Sequence, residues 1–268
     1  KTMTMNKRCI TTTLALLLTV LTVAAGTKIV ETKPLQPFTV LNILGSAKVV
    51  YIQGSGHSVR LEGDKEEIDR LEIKQTDKHL NIGYKTTKIG GIYYMGNGSN
   101  NGSVTIYVTS PAINVINVTG SAEVEVDKYK VQTSMLTMNV TGSGSIHVKN
   151  ASVGTATCNV AGSGCISVDE LQAVNASLVV SGSGMVKAQV DCSDKLNCVV
   201  AGSGDVSVSG RTANYSKSVM GSGSVSDKKL KYTNLSNATR YDGKQSYVID
   251  RTGRSQGNDT VNGIVANP

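Results

Sequence analysis

A chain of 268 residues with no tryptophan, one phenylalanine and 28 glycines has little with which to build a large aromatic core. Its small β-formers suit a long, thin core with modest burial per repeat. Of the formal charge of +7, three charges sit at Lys1, Lys7 and Arg8 and a net three lie beyond Ser226, which leaves +1 for residues 27–226. No basic residues recur there in register with aromatic ones, which argues against a nucleic-acid groove.

The first segment, residues 1–26, has the order of a secretory signal peptide: basic Lys7-Arg8, the apolar run Leu14–Val23, then small Ala24-Ala25-Gly26. The run falls short of the ~20 apolar residues of a spanning helix. No later segment reaches that length, so the expectation is an exported protein without a membrane span. Cys9 precedes the run and is therefore not the lipidated cysteine of a lipoprotein signal.

Residues 27–37 read as a linker and cap, and residues 38–232 as one repetitive domain, less regular over 38–111 and regular over 112–226. Val40–Tyr51, with Gly45-Ser46-Ala47 inside it, parallels Ile116–Val126 around Gly120-Ser121-Ala122 and reads as a first coil. Ser58–Glu62, Leu71–Lys74, Leu80–Tyr84 and Val104–Val108 are strand candidates, and Asp64–Arg70 suits one short helical turn. Lys85–Ser103 reads as a long loop rich in Gly, Asn and Tyr. Its adjacent Tyr93 and Tyr94 are the candidate ligand-binding residues, since exposed tyrosines between glycines can stack on a sugar ring or meet a protein partner.

The regular region repeats Val-x-Gly-Ser-Gly-x-Val. The leading glycines are Gly120, Gly142, Gly162, Gly182, Gly202 and Gly221, so the steps are 22, 20, 20, 20 and 19 residues. A fixed period of this size marks a solenoid. With the leading glycine as zero, position −2 is valine throughout. Position −4 is Ile116, Met138, Cys158, Leu178, Cys198 and then Lys217; position +4 is Val124, Ile146, Ile166, Val186, Val206 and Val225. Position −3 holds Asn117, Asn139, Asn159, Val179, Val199 and Ser218, largely polar or tolerant, while +3 and +5 vary freely. This is the period-2 signature of strands with one buried face. Each repeat becomes a strand, a Gly-Ser-Gly corner, a second strand and a less regular return. The predicted fold is all-β, a right-handed parallel β-helix with about 20 residues per coil. Residues 233–268 read as a C-terminal cap and flexible tail.

Four cysteines follow the signal segment. Cys158 and Cys198 share one ladder two coils apart, about 9.6 Å at the usual strand spacing, beyond the ~7 Å that a disulfide spans. They read as buried thiols. Cys165 falls on an outward position and Cys192 in a turn, and the sequence leaves open whether either forms a bridge.

The chemistry of catalysis is missing from this pattern. The serines belong to corners, and the only histidines are His57, His79 and His147. His147 faces outward beside Glu125 and Ser167 but reads as a solvated surface residue rather than a general base. No histidine or carboxylate cluster suggests zinc. Asp205 stands alone at its position, unlike the recurring aspartates of calcium rolls. No glycine-rich stretch continues into Lys-Ser/Thr, so no phosphate cradle and no cofactor is expected. The Asn-x-Ser/Thr triplets at Asn117 and Asn139 lie within strand ladders and reflect composition.

The Gly-Ser-Gly-x-Val ladder behind a signal segment resembles the bacterial family described as putative auto-transporter adhesin, head GIN domain. Phe38-x-x-Leu41, the Leu71-x-Ile73 and Leu80-x-Ile82 pair and Val104–Pro111 are similar to its pattern, and the resemblance covers roughly Phe38 to Tyr232. It implies a right-handed β-helix exported by a Gram-negative bacterium, to the periplasm, the cell surface or the medium, and no catalytic residue. The functional expectation is a non-enzymatic adhesin-like or scaffolding module of the cell envelope, its partner a cell-surface glycan or protein. The alternative is a polysaccharide-active β-helix enzyme, a lyase or hydrolase.

Overall fold

The computed structural model describes residues 28–85, 87–89, 92–94, 104–241, 246–249 and 255–257, with side chains over 30–85, 104–131 and 135–235. Residues 1–26, with the signal-peptide order expected from the sequence, and most of the tail lie outside the described residues. The chain forms a parallel β-solenoid of about six turns stacked about 20 residues apart. In chain order the strands are β1 (Lys28–Pro34), β2 (Val40–Gly45), β3 (Lys48–Gln53) and β4 (Ser58–Asp64), then helix α1 (Lys65–Arg70), β5 (Leu71–Thr76), β6 (His79–Tyr84), β7 (Thr87–Ile89), β8 (Ile92–Tyr94), β9 (Val104–Ser110) and β10 (Val115–Gly120). The regular coils follow as β11 (Glu123–Gly142), β12 (Ser145–Gly162), β13 (Cys165–Gly182), β14 (Met185–Gly202), β15 (Asp205–Met220) and β16 (Ser224–Tyr241), and the chain closes with β17 (Ser246–Ile249) and β18 (Ser255–Gly257).

The valines explain the coil. Alternate side chains leave opposite faces of a strand, and here one face closes on the axis. Ile82, Ile43, Val118, Val140, Val160, Val180, Val200 and Val219 stand in parallel register as one inward ladder. Ile106, Val49, Val124, Ile146, Ile166, Val186, Val206 and Val225 make the second. Almost all are buried, in one continuous apolar core. The return segment carries its own buried ladder, Ala151, Leu171 and Val190. It is nonetheless the less regular side, because the register shifts between Val131 and Met135, between Ala173 and Asn175 and between Cys192 and Lys195 fall on it. Cys192 belongs to this return strand, not to a turn. Its side chain is buried beside its ladder-mates Ala173 and Thr212.

The corner glycines are demanded by the stacking. Gly182 has φ +120°, and a Cβ built there would lie 2.7 Å from the carbonyl oxygen of Gly162 in the coil before it. The Ser183 amide donates to that same oxygen at 2.9 Å. A side chain would therefore meet both a forbidden dihedral and the inter-coil hydrogen bond.

The N-terminal coils are not stacked in chain order. β2 and β3 pair with β10 and β11 on one side, and on the other with β6 and β9, which come later in sequence. β6 and β9 thus form the lowest turn, with residues 85–103 inserted where the other turns have a glycine corner. That segment is not wholly loop: β7 and β8 pair antiparallel within it. β5 covers β6, β4 covers β9 and β1 covers β4, all antiparallel. Residues 28–34 are therefore strand rather than linker. At the far end β16 continues past Tyr232, and β17 and β18 add antiparallel strands beyond it. The antiparallel strands cover the N-terminal edge along β6 and β9, whereas among the described residues β17 meets β16 only over Thr239–Tyr241, at its end.

The last coil breaks the apolar rule inside. Lys217 takes the inward place held by Cys198 one coil earlier. Its Nζ lies 2.7 Å from Oδ2 of Asp227, and the two side chains are only 18% and 19% exposed. The buried Tyr215 hydroxyl donates to the same Asp227 oxygen at 2.9 Å.

Candidate functional site

Since the interior is filled, function must lie on the outward rows. The face before the corner is formed by residues at −3 and −1 on β2, β10 and the coils. Its −3 row is an unbroken amide ladder. Asn42 Nδ2 donates to Asn81 Oδ1, Asn117 to Asn42, Asn139 to Asn117 and Asn159 to Asn139, each at 2.8 Å. All the amides point the same way, so their dipoles add and each bond polarises the next. The ladder ends where Val179 follows Asn159 in register.

An asparagine amide has two N–H donors and an oxygen with two lone pairs. The ladder uses one donor of Asn42, Asn117, Asn139 and Asn159, and one lone pair of each oxygen except that of Asn159. Remaining capacity faces an open groove of about 530 Å³, lined by this row together with Leu44, Thr119, Thr141 and Ala161. No ionisable side chain lines it. The sequence reading found position −3 polar but missed the ladder. The signal that would have revealed it is asparagine at one register in successive coils.

The face after the corner carries the mixed charges. Lys48 sits 3.0 Å from Glu125 and 3.8 Å from Glu123, and its ammonium is held above its ordinary pKa chiefly by the hydrogen bond to Glu125. His147 stands in register between Glu125 and Ser167, as its spacing required, but its Nε2 lies 3.0 Å from Asp169. Both partners are about half exposed. His57 packs edge-on against Phe38, with ring centroids 5.6 Å apart. The lone Asp205 accepts hydrogen bonds from the backbone N–H and the hydroxyl of Ser224, an inter-coil tie at the corner. Among the described residues no three His, Cys, Asp or Glu side chains gather as a metal site.

The return face bears a second groove of about 420 Å³, bordered by Glu170, Asp191, Arg211, Lys229 and Lys231. Arg211 there grips Asp191 through Nε and Nη2 at 2.6 and 2.7 Å, which holds the Asp191 carboxyl below its ordinary pKa. The backbone of Tyr93 and Tyr94 forms β8, and their side chains lie outside the described residues.

Cys158, Cys165, Cys192 and Cys198 are all free thiols. Burial pushes Cys158, Cys192 and Cys198 up to about 12, while Cys165 is half-exposed. Only the thiolate is a nucleophile. Maleimide labelling of the folded protein at pH 7.5, followed by peptide mapping, should therefore modify Cys165 first among these four. The other three should react only on unfolding; equal labelling of Cys158 in the folded state would contradict the buried ladder.

Several solved structures share this architecture. One from Parabacteroides distasonis ATCC 8503, described as a putative lipid binding protein, is 25% identical, with a TM-score of 0.54 over 75% of this chain and 97% of its own. One from Bacteroides fragilis NCTC 9343, described as a putative adhesin, is 15% identical, with a TM-score of 0.59 over 76% and 98%. Another described as a putative adhesin, from Parabacteroides merdae ATCC 43184, is 17% identical, with a TM-score of 0.57 over 82% and 97%. The last two, at such identity, are alike in fold alone. No curated protein matches the chain. The model of the family described as putative auto-transporter adhesin, head GIN domain, matches residues 37–169 and 159–240.

Proposed function

The chain belongs to the putative auto-transporter adhesin, head GIN domain family, and on that premise we propose that it is an exported, non-enzymatic binding module of the bacterial cell envelope. The observation that carries this reading is the in-register repetition of outward side chains, most completely in the asparagine row from Asn81 to Asn159. A surface that repeats with each coil meets an extended or repetitive partner at several equivalent points, and linked weak contacts add to avidity. The adhesin descriptions of the Bacteroides fragilis and Parabacteroides merdae structures belong to those proteins; together with the family they support a binding role here. The lipid-binding description of the Parabacteroides distasonis structure supports a binding role as well, without favouring a lipid for a groove edged by amides.

Export is supported by the basic, apolar and small-residue order of residues 1–26. No helix among the described residues is long and apolar enough to cross a membrane. Tyr93 and Tyr94 remain candidate contact residues within this proposal. The test is fractionation of the producing cells with protease shaving, paired with a reducing-end assay on envelope glycans. The protein is expected in the envelope or the medium, and it should release no new sugar ends. Retention in the cytoplasm would overturn the location, and glycan depolymerisation by the purified protein would restore the enzyme alternative.

A further inference from the structure

We propose that the groove above the asparagine ladder binds an uncharged, polyhydroxylated chain, a neutral glycan, laid along the solenoid axis. The inference deepens the binding-module reading and rests on it. Three features select this occupant. The first is charge: the groove wall holds asparagines, threonines and aliphatic groups but no ionisable side chain, whereas the other two faces carry Lys48, Glu123, Glu125, Arg211 and Asp191. A charged ligand entering here would lose hydration without gaining a counter-charge.

The second feature is hydrogen-bonding type. Each amide offers both donors and acceptors, and threonine hydroxyls do the same, so the surface suits hydroxyl groups, which also both give and take. The amides are half-buried and locked by their neighbours, so little side-chain freedom is lost on binding. Asn159 adds a ladder oxygen with no amide above it to donate.

The third feature is spacing. The rungs repeat at the inter-coil distance, ~4.8 Å, about the length of one sugar ring, and the five asparagines from Asn81 to Asn159 span about 19 Å at that spacing. A chain of several sugars laid along the axis would meet equivalent amides ring after ring. Thr119 and Thr141 are exposed beside the ladder and take no part in it, so they belong to the ligand side of the groove.

The test is calorimetric titration of the purified protein with cellohexaose and mannohexaose as neutral probes, hexagalacturonate as the charged probe and phosphatidylcholine vesicles as the lipid probe. Binding of a neutral probe is expected, and Asn139→Leu should weaken it by about tenfold or more, the loss of at least one well-placed contact. Because Asn139→Leu also cuts the ladder, the Thr119→Val/Thr141→Val double variant serves beside it. That change keeps side-chain shape and ladder bonds and should still cost several-fold in affinity with an unaltered melting temperature. The proposal is overturned if neither neutral probe binds, if neither variant weakens binding, or if only hexagalacturonate or vesicles bind. Retention of both variants on intact cells at the level of the unaltered protein would sink the groove while leaving the binding module standing. Absence of any retention by the unaltered protein would sink the module itself.

Discussion

Gly182→Ala should destabilise the protein by about 3 kcal/mol or more, although alanine is the smallest possible addition. Two costs combine. The backbone at φ +120° lies where residues with a Cβ rarely sit, and the new Cβ would stand 2.7 Å from the Gly162 carbonyl oxygen and 3.1 Å from the Gly162 nitrogen. Neither neighbour is a flexible side chain that can swing away. Relief requires prising the two coils apart at the corner, which strains the hydrogen bond from Ser183 to Gly162. Thermal unfolding followed by circular dichroism should show a fall in Tm of roughly 6–12 °C, from the 2–4 °C per kcal/mol usual for chains of this size. Gly56→Ala is the matched control, because a Cβ there meets nothing within 4 Å. Its Tm should stay level or rise slightly through a less entropic unfolded chain. Equal losses at Gly56 and Gly182 would mean that corner stacking is not what the glycine serves.

The second large effect concerns the ion pair inside the last coil. Lys217→Met should cost about 2–4 kcal/mol, because it leaves the Asp227 carboxylate, 19% exposed, with the Tyr215 hydroxyl but no cation. Asp227→Val alone should cost a similar amount by stranding the Lys217 ammonium. The double variant Lys217→Met/Asp227→Val restores the apolar character of the preceding coils. It should recover most of the loss, since the mutual attraction of a buried pair barely offsets its desolvation. Urea unfolding of all four proteins gives the coupling energy directly. Additive losses in the double variant would show that the two residues act separately and that the 2.7 Å contact contributes nothing.

Much of this architecture is legible in the sequence. The aliphatic side chains at −2 and +4 recur on a period of about 20 residues, and only one placement buries nearly all of them, so the coil follows from the pattern. The amide ladder was harder to read, because polarity at −3 looks the same whether each asparagine meets water or its neighbour. It is decided by register, and Asn42 and Asn81 join the row only once the N-terminal turns are stacked. Their stacking was hidden, since nothing in the composition of β6 says that it lies beneath a strand preceding it in the chain. Lys217 stood out as an exception in its ladder. Its partner Asp227 did not, because it stands directly before the charged run Lys228, Lys229 and Lys231, and nothing in those lysines points inward. Cys192 reads as a turn residue for a related reason: neighbouring Asp191, Ser193 and Asp194 look like a turn, yet the return strand continues through them, with a shift of register between Cys192 and Lys195.

The misordered turns at the N-terminal end also set a timetable for folding. Adjacent regular coils meet partners 20 residues away, as Asn159 meets Asn139, so they can zip from any nucleus at low contact order. Asn42 must instead find Asn81 at a separation of 39 residues and Asn117 at 75. The loop-closure penalty for 75 residues over 20 is only about 1 kcal/mol, too little to matter to the finished molecule. Its weight is in time. A chain emerging from its N-terminus can cover one edge of β2 and β3 only once β6 and β9 have followed, and the other edge stays unpaired until β10 and β11 arrive, 75 residues after Asn42 in the case of Asn117. The end made first is completed late, and during that interval it is the part of the protein that most needs protection from other unpaired strands.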